Sequence, residues 1–464
     1  VEEKTVATPS AEVTVMREPH AMLEALMGGT RKMRKVSSLL PKWSGEDADA
    51  YKDRLAAATL FPAYKRTVNV MSSKPFAEPL TLQDAPPDIE KWAEDIDREG
   101  VNLHTFAQDC FRESFYGLAG ILVESPKALP IKGRAPTKAE QDAAGVRPYM
   151  VRIKHDQLIG WRISSGNGGR KLMQLRYQDD AVVDDGEFGT KLVKRVRVLE
   201  PGKFRVYELR KTEVTGKEEW VLIEEGLTDL PEITFVPVYG FRDDFMCGSP
   251  PLEDLAYNNV KHWQSQSDQD NILHCARVPI LKFKTDDEKA ELKIGAAQAV
   301  RIPQSADLEW VELQGNSIGE GGKSLDALEK QMIQDGAELL VKQPGTRTAT
   351  ESENDADANR CYLQRMAEGF KDALEQAIRY MAMYAKLPDT TQVKLFMDFG
   401  VDRRTMDAIL KMFEDGLISE ETVWEAAIER GELPENFDAD VEKERLASAS
   451  LGPAPKPTAP VGNA

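Results

Sequence analysis

The chain has 464 residues, 41% of them hydrophobic and 30% charged, with a formal net charge of -18 at pH 7. That length supports two or three cores without covalent staples, and the acidity argues against gripping nucleic acid through a broad basic surface, which needs Lys and Arg to neutralise phosphates. No apolar run, Ile233 to Phe241 included, is long enough to cross a bilayer, while Cys110, Cys247, Cys275 and Cys361 form no CxxC pair and no basic-then-apolar leader opens the sequence, so folding in a reducing cytosol is expected.

Val1 to Val13 is polar and unpatterned and is expected to be mobile, as is the Pro-rich stretch Gly452 to Ala464. Tyr51, Leu55, Ala58, Phe61, Tyr64, Val68 and Met71 follow helical spacing, which predicts one core-facing helix over Ala48 to Met71, ended by Lys74-Pro75. A second helix is predicted over Asn102 to Tyr116, after which Gly117 leads into a short apolar strand, Gly120 to Val123, that stops at Pro126. From Arg147 to Phe241 the pattern changes to short strands: Tyr149 to Ile153, Leu158 to Ile163, Leu172 to Tyr177, Leu192 to Leu199, Phe204 to Leu209 and Trp220 to Glu224. Turn signals such as Ser165-Gly166-Asn167-Gly168-Gly169 and Glu200-Pro201-Gly202 separate them, as in antiparallel hairpins.

Pro250-Pro251-Leu252-Glu253-Asp254 starts a helix with prolines at its head and acids in the first turn, where the macrodipole favours them. Leu252, Leu255, Ala256, Val260 and Trp263 give it one apolar face, and then Gln264 to Asn271 is wholly polar without a Pro or Gly to stop it. Such a helix is expected to leave its own core, into solvent or against polar neighbours in an oligomer. Val278 to Phe283, Ala299 to Ile302 and Leu308 to Leu313 read as strands of a small β-unit that is marginal by itself. A helix from Lys323 to Lys342 follows, with Leu325, Leu328, Met332 and Leu339 on one stripe and Asp335-Gly336 as a point where it can kink. The loop Lys342 to Ala349 carries two positive charges and no acid, and then Leu363, Met366, Phe370, Leu374, Ile378 and Met381 mark a long helix.

The run PPLEDLAYNNVKHWQSQSDQDNILHCARVPILKF, the helix LDALEKQMIQDGAELL and the loop with TRTATESE together resemble the stem, clip, tunnel-helix and tunnel-loop series of tailed-bacteriophage portal proteins. Upstream, PAYKRTVNVMSSKPF, IDREGVNLHTFAQDCFRESFYGLAGILVESP and RPYMVRIKHDQLIGWRI are similar to the N-terminal wing of one portal group. The resemblance runs over roughly residues 15 to 390, and the order of these loose words carries it. It implies an α+β, mainly helical, ring-forming portal-protein fold, divided into a disordered 1–14, a wing over 15–249, a first stem helix over 250–276 and a clip over 277–318. A second stem helix passing into the tunnel helix would take 319–341, a tunnel loop 342–350 and a long wing helix 351–388. A C-terminal helical region or crown would take 389–451, with helices at Arg404 to Phe413 and Ile418 to Arg430, and a disordered tail 452–464.

By the same resemblance the ring, usually of twelve subunits, sits at one vertex of the capsid and forms the channel for packaging and ejecting double-stranded DNA. Its partners would be the terminase large subunit, a head-to-tail adaptor, the major capsid protein and a scaffold, with no membrane, no cofactor and no metal, after assembly in the host cytoplasm. Lys342, Gln343, Thr346, Arg347 and Thr348 would face the DNA. Lys282, Lys284, Asp286, Lys289, Lys293 and Arg301 would lie in the clip, and Lys261, Gln264, Asp268, Lys323 and Lys330 would line the stem channel. An acidic channel wall would repel a polyanion and keep it from sticking, leaving a few basic contacts that are weak and blind to sequence.

Other readings are weaker on chemical grounds. Gly315-Asn316-Ser317-Ile318-Gly319 matches the nucleophile elbow of serine hydrolases, but that chemistry needs a base downstream, and His20, His104, His155, His262 and His274 all precede Ser317. No enzymatic activity is therefore expected. His274-Cys275 has no second pair at ligand spacing, and Gly166-Asn167-Gly168-Gly169-Arg170 lacks the GK[ST] ending of a phosphate loop and reads as a hairpin turn. The acidic runs Glu351 to Asp357 and Asp438 to Glu444 lack the spacing of a calcium loop. The alternative to a portal is another structural component of the virion, such as a head-completion or tail protein.

Overall fold

The computed structural model describes residues 4–126, 137, 140, 145–166, 169–211, 216–277, 280–284, 307–311, 316–337, 361–399 and 423–424. The chain forms two compact units, Val1–Gly400 and Val401–Ala464; of the region 389–451 read as helical or a crown only 389–399 and 423–424 are described, and there Gln392–Lys394 is a strand and not a helix, while the helices Arg404 to Phe413 and Ile418 to Arg430, Val423 and Trp424 apart, and the tail lie outside the described residues.

In chain order the first unit has α1 (Ala11–Met16), α2 (His20–Met27), α3 (Thr30–Met33), α4 (Ala48–Ala57), α5 (Ala63–Ser73), β1 (Thr81–Gln83), α6 (Pro87–Trp92) and α7 (Leu103–Glu113). Strands follow: β2 (Leu118–Glu124), β3 (Tyr149–Ile153), β4 (Leu158–Gly166), β5 (Gly169–Gln178), β6 (Ala181–Asp184), β7 (Thr190–Val193), β8 (Arg195–Glu200), β9 (Lys203–Lys211), β10 (Glu218–Leu227), β11 (Phe235–Tyr239), β12 (Phe241–Asp244) and β13 (Cys247–Ser249). The helix α8 (Glu253–Arg277), strands β14 (Ile280–Lys284) and β15 (Asp307–Val311), helices α9 (Asn316–Ala337) and α10 (Tyr362–Ala385) and strand β16 (Gln392–Lys394) follow among the described residues.

The class is mixed helix and strand, and its layers follow from residue parity. In β2, Ile121 and Val123 face a helical core with α2, α5, α7, α8 and α10, while Leu118 and Leu122 face the opposite way. Successive strand residues point to opposite faces, so β2, paired on one side with β11 and on the other with β3, is buried on both. Pro237 is accommodated because β11 is an edge of that three-stranded sheet. The second face packs on an antiparallel five-stranded sheet in the order β10-β9-β8-β5-β4. The stripe Leu363, Met366, Phe370, Leu374, Ile378, Met381 of α10 is buried as its spacing requires, and Asn102 caps α7 by accepting the N–H of Thr105 at 2.9 Å.

Three expectations are corrected here. The N-terminal segment is seated from Val6 onward: Arg176 donates to the carbonyls of Val6 and Thr8 at 2.8 and 3.0 Å, Ser10 N donates to Ile159 O at 2.9 Å, and Val13 is buried. The helix expected over Ala48 to Met71 is two helices, because Ala58 takes an extended backbone and Pro62 supplies no N–H to continue the ladder. The strand expected over Leu192 to Leu199 is two strands: at Lys194 the chain leaves its hairpin partner β6 and joins β5 and β9. Leu252 at the head of α8, Trp263 within it and Met332 of α9 belong to the same core as Leu23, Phe111 and Phe370.

A buried polar cluster fixes α2 against this body. His20 donates from Nε2 to the carbonyl of Tyr116 at 3.0 Å, and His155 donates from Nδ1 to Glu113 at 2.8 Å. The His155 ring stacks on Tyr116 with centroids 3.6 Å apart and meets His20 edge-on at 4.8 Å. Burial pushes the His20 imidazole down to about 4, with the neighbouring His155 adding to the effect.

Candidate functional site: the paired long helices

The two prolines before α8 and the acids Glu253 and Asp254 in its first turn set its start. Its 25 residues span about 38 Å. Leu252, Leu255, Ala256, Asn259, Val260, Trp263 and Ser267 are buried, a stripe at spacings of three and four that turns from apolar to polar along its length. Asn259, wholly buried, accepts the N–H of Tyr64 at 3.0 Å and donates to the carbonyl of Phe61 at 2.8 Å. It thereby satisfies the backbone exposed by the α4–α5 break. A polar residue on an apolar stripe was the available signal for this role.

The α9 helix runs antiparallel to α8. Asn258 donates to Asp335 at 2.8 Å, His262 donates from Nε2 to Glu329 at 3.2 Å, and Gln269 donates to the carbonyl of Ile318 at 2.9 Å. These three contacts run in opposite sense along the two helices and fix their register. Gly321 permits the last of them, because a Cβ there would stand 2.2 Å from the Gln269 Oε1. The helix begins at Asn316, earlier than the Lys323 expected from periodicity, and Gly319, Gly321 and Gly322 lie within it. Tertiary packing against α8 overrides the low helix propensity of glycine. It continues through Asp335 and Gly336 to Ala337, with Gly336 close to Thr67 of α5. Leu325, Leu328 and Met332 are buried as expected, and most of its other positions are exposed, Ile333 at 69%.

At the far end of the pair, β14 and β15 form an antiparallel two-stranded ladder with Leu281 opposite Trp310 and Phe283 opposite Leu308. In its register Lys282 pairs with Glu309 and Lys284 with Asp307.

The polar segment Gln264 to Asn271 corrects the expectation that this helix leaves its own core, since its polar neighbours come from the same chain. Gln264 donates to the carbonyl of Leu39 at 3.1 Å, and Arg54 reaches Ser267 Oγ at 3.5 Å and Asp268 at 3.9 Å. Arg54 also donates to both carboxylate oxygens of Glu46, at 2.7 and 2.9 Å, and its guanidinium lies 3.9 Å above the Trp43 ring. Hydrogen bonding to Glu46 raises the Arg54 pKa, and the same bond to Arg54 holds Glu46 below the usual carboxylate range. Burial raises Asp268 despite the nearby guanidinium.

Of the residues expected to line a channel, Lys261, Lys323 and Lys330 are exposed, Lys323 paired with Glu320 at 2.7 Å. Gln264 and Asp268 are half-buried against the residues just named. Lys282 and Lys284 are placed only by the backbone of β14, and Asp286, Lys289, Lys293 and Arg301 lie outside the described residues, as do Lys342, Gln343, Thr346, Arg347 and Thr348. Ser317 stands in the first turn of α9. Among the described residues no group of three or more His, Cys, Asp or Glu is arranged to hold a metal ion, and no helix is long and apolar enough to cross a membrane.

Residues 251–385, which take in this helix pair and α10, match a family model described as a domain of unknown function, DUF4055. No curated protein matches the chain. Among solved structures, the chain is similar at 12% identity and a TM-score of 0.43 to one from the neck of an empty GTA particle computed with C6 symmetry, covering 88% of this chain and 95% of that one. A chain from the virion of a native gene transfer agent particle matches at 13% identity and a TM-score of 0.40, covering 92% and 98%. One from the neck of a native GTA particle computed with C12 symmetry matches at 12% and 0.40, covering 82% and 93%.

Proposed function

We propose that this chain is a structural subunit of a phage-like virion, and within that class a portal protein: one member of a ring that passes double-stranded DNA. The observation that carries the reading is the antiparallel pair α8–α9, tipped by the β14–β15 ladder and anchored to the body mainly along α8, with α9 exposed on all but one stripe. An exposed helix of this length, followed in sequence by the acid-free loop 342–349, is the arrangement that the portal resemblance implies for stem, clip, tunnel helix and tunnel loop. In this reading the ladder meets the terminase large subunit and later an adaptor, and neighbouring ladders pair to cover their edges. The ring, of about twelve copies, closes by a repeated contact between neighbours. We assign the chain no catalytic step. Its acidity serves transport, because a negative wall repels the polyanion and the lysines Lys261, Lys323 and Lys330, with Lys342 and Arg347, give only weak, local attraction.

Electron microscopy of the purified protein, alone and after co-expression with capsid proteins, tests this. Rings with a central hole near the width of a DNA duplex are expected. A monomer under every condition would overturn it, and closed assemblies without a channel would leave a different virion component.

A further inference from the structure

Two surfaces of the first unit each expose apolar side chains and carry charge of opposite sign. The β6–β7 hairpin projects from the five-stranded sheet as an insertion between β5 and β8. Val182 and Leu192 are directly opposite in its register, 69% and 63% exposed, and Phe188 in its turn is 93% exposed. The turn is a defined one, closed by Asp185 N donating to Gly189 O at 2.8 Å. Around these apolar groups the segment 179–193 carries Asp179, Asp180, Asp184, Asp185 and Glu187 against the single base Lys191. A two-stranded hairpin with three large apolar side chains in water is poorly covered by its own fold.

The second surface is a shallow groove of about 560 Å³ along the end of α5, lined by Asn69, Val70, Ser73, Lys74, Phe76 and Ala77 together with Gln108 of α7. Val70 is 55% exposed on this face. Arg66, Val70 and Lys74 succeed one another at helical i, i+4 spacing, and Pro62 to Ala77 contains Lys65, Arg66 and Lys74 with no acid. In a chain of net charge -18 that is a local reversal of sign.

We infer that the β6–β7 hairpin of one subunit docks in the α5 groove of the next, with Phe188 as the apolar anchor beside Val70 and Asp184, Asp185 and Glu187 facing Arg66 and Lys74. The occupant is a second copy of this chain because each surface supplies what the other lacks, whereas two like surfaces of one sign would repel. The two surfaces lie on different elements, so the contact is head-to-tail, the kind that propagates round a ring. An aromatic anchor inside a charged rim is the usual economy of such contacts, and the remaining buried area comes from other faces. The inference rests on the proposed ring, but not on DNA passing through it.

Disulfide trapping in the full-length chain tests it. Phe188→Cys and Val70→Cys are made separately in a background with Cys247→Ser and Cys275→Ser. Mild oxidation of the two proteins co-assembled is expected to give a cross-linked dimer containing one of each, absent when either is oxidised alone. Arg66→Glu with Lys74→Glu is expected to lower the assembled fraction about tenfold. Adding Asp184→Lys and Asp185→Lys is expected to restore it, while circular dichroism and melting of each variant stay unchanged. If rings form normally in the charge-reversed protein and no cross-link appears, the contact is refuted and the ring survives. If the wild-type chain forms no ring and no cross-link, both fall.

Discussion

Asn259 and Tyr64 are joined across the base of the long helix pair by one hydrogen bond, the Tyr64 backbone N–H donating to the Asn259 side-chain oxygen at 3.0 Å in a fully buried setting. The same amide donates to the Phe61 carbonyl at 2.8 Å, so a single side chain repairs both sides of the helix break at Pro62. Replacing it strands the buried Tyr64 N–H, worth about 1–3 kcal/mol, and takes from the Phe61 carbonyl one of its two donors, leaving the Ala63 N–H at 2.9 Å, a further loss of about 1 kcal/mol. Asn259→Ala should therefore lower stability by about 3 kcal/mol, read as a shift of denaturant midpoint at unchanged slope. A loss below about 0.5 kcal/mol would show that water or a neighbour replaces the amide.

Stability should fall with acid over a window set by His20. Its folded-state pKa of about 4 lies below the ordinary value of 6.5, so between these values the unfolded chain holds more protons than the native one. Stability is complete above pH 6.5 and is lost as the pH drops towards about 4, by an order of 3 kcal/mol. Burial by itself would raise Glu113, but its hydrogen bond to His155 holds it below the usual carboxylate range, and the stability this contributes is lost as the pH falls further. Denaturant titrations at several pH values should show a shallower slope for His20→Gln, which keeps a donor for the Tyr116 carbonyl. An equal slope in both proteins would place the effect elsewhere.

Gly321→Leu should disturb the register of the two long helices without unfolding the body. The new side chain displaces Gln269 from the Ile318 carbonyl, an overpacking cost of about 1–3 kcal/mol that is partly offset by better helix propensity. Hydrogen exchange should rise in α9 and the adjoining half of α8 and remain unchanged in α7 and α10. Uniform exchange across all four helices would mean that the pair has no independent give.

Arg347→Glu should leave ring assembly intact and reduce packaged DNA, as expected if the loop 342–350 contacts phosphates. Particle counts by microscopy and encapsidated DNA by nuclease protection separate the two effects. Normal packaging in this variant would detach the loop from DNA.

Much of the local structure was legible in sequence. The α10 stripe, the start of α7 beside Asn102 and strand β3 follow from spacing within a few residues of chain, which is the range over which periodicity operates. What spacing could not supply was the partner of a polar surface. Gln264 to Asn271 reads as a helix leaving its core because the groups that answer it, Leu39, Glu46 and Arg54, stand some two hundred residues earlier. The β1–β16 pair is three residues on each side and joins Thr81 to Lys394, too short and too distant to leave a pattern. Of the expected channel lining, exposure alone separates Lys261, Lys323 and Lys330 from Gln264 and Asp268.

The change of character along α8 at Trp263 has a mechanical consequence. Up to that residue, moving the helix would open apolar core to water, a penalty that grows with every square ångström exposed. Past it, along Gln264 to Asn271, the seat is made of hydrogen bonds and one ion-pair cluster, contacts that water can replace at a net cost of about 1 kcal/mol each. The arm is thus stiffly rooted and compliant toward its ladder, so a load applied at the tip would be absorbed by exchanging polar contacts before it reached the core.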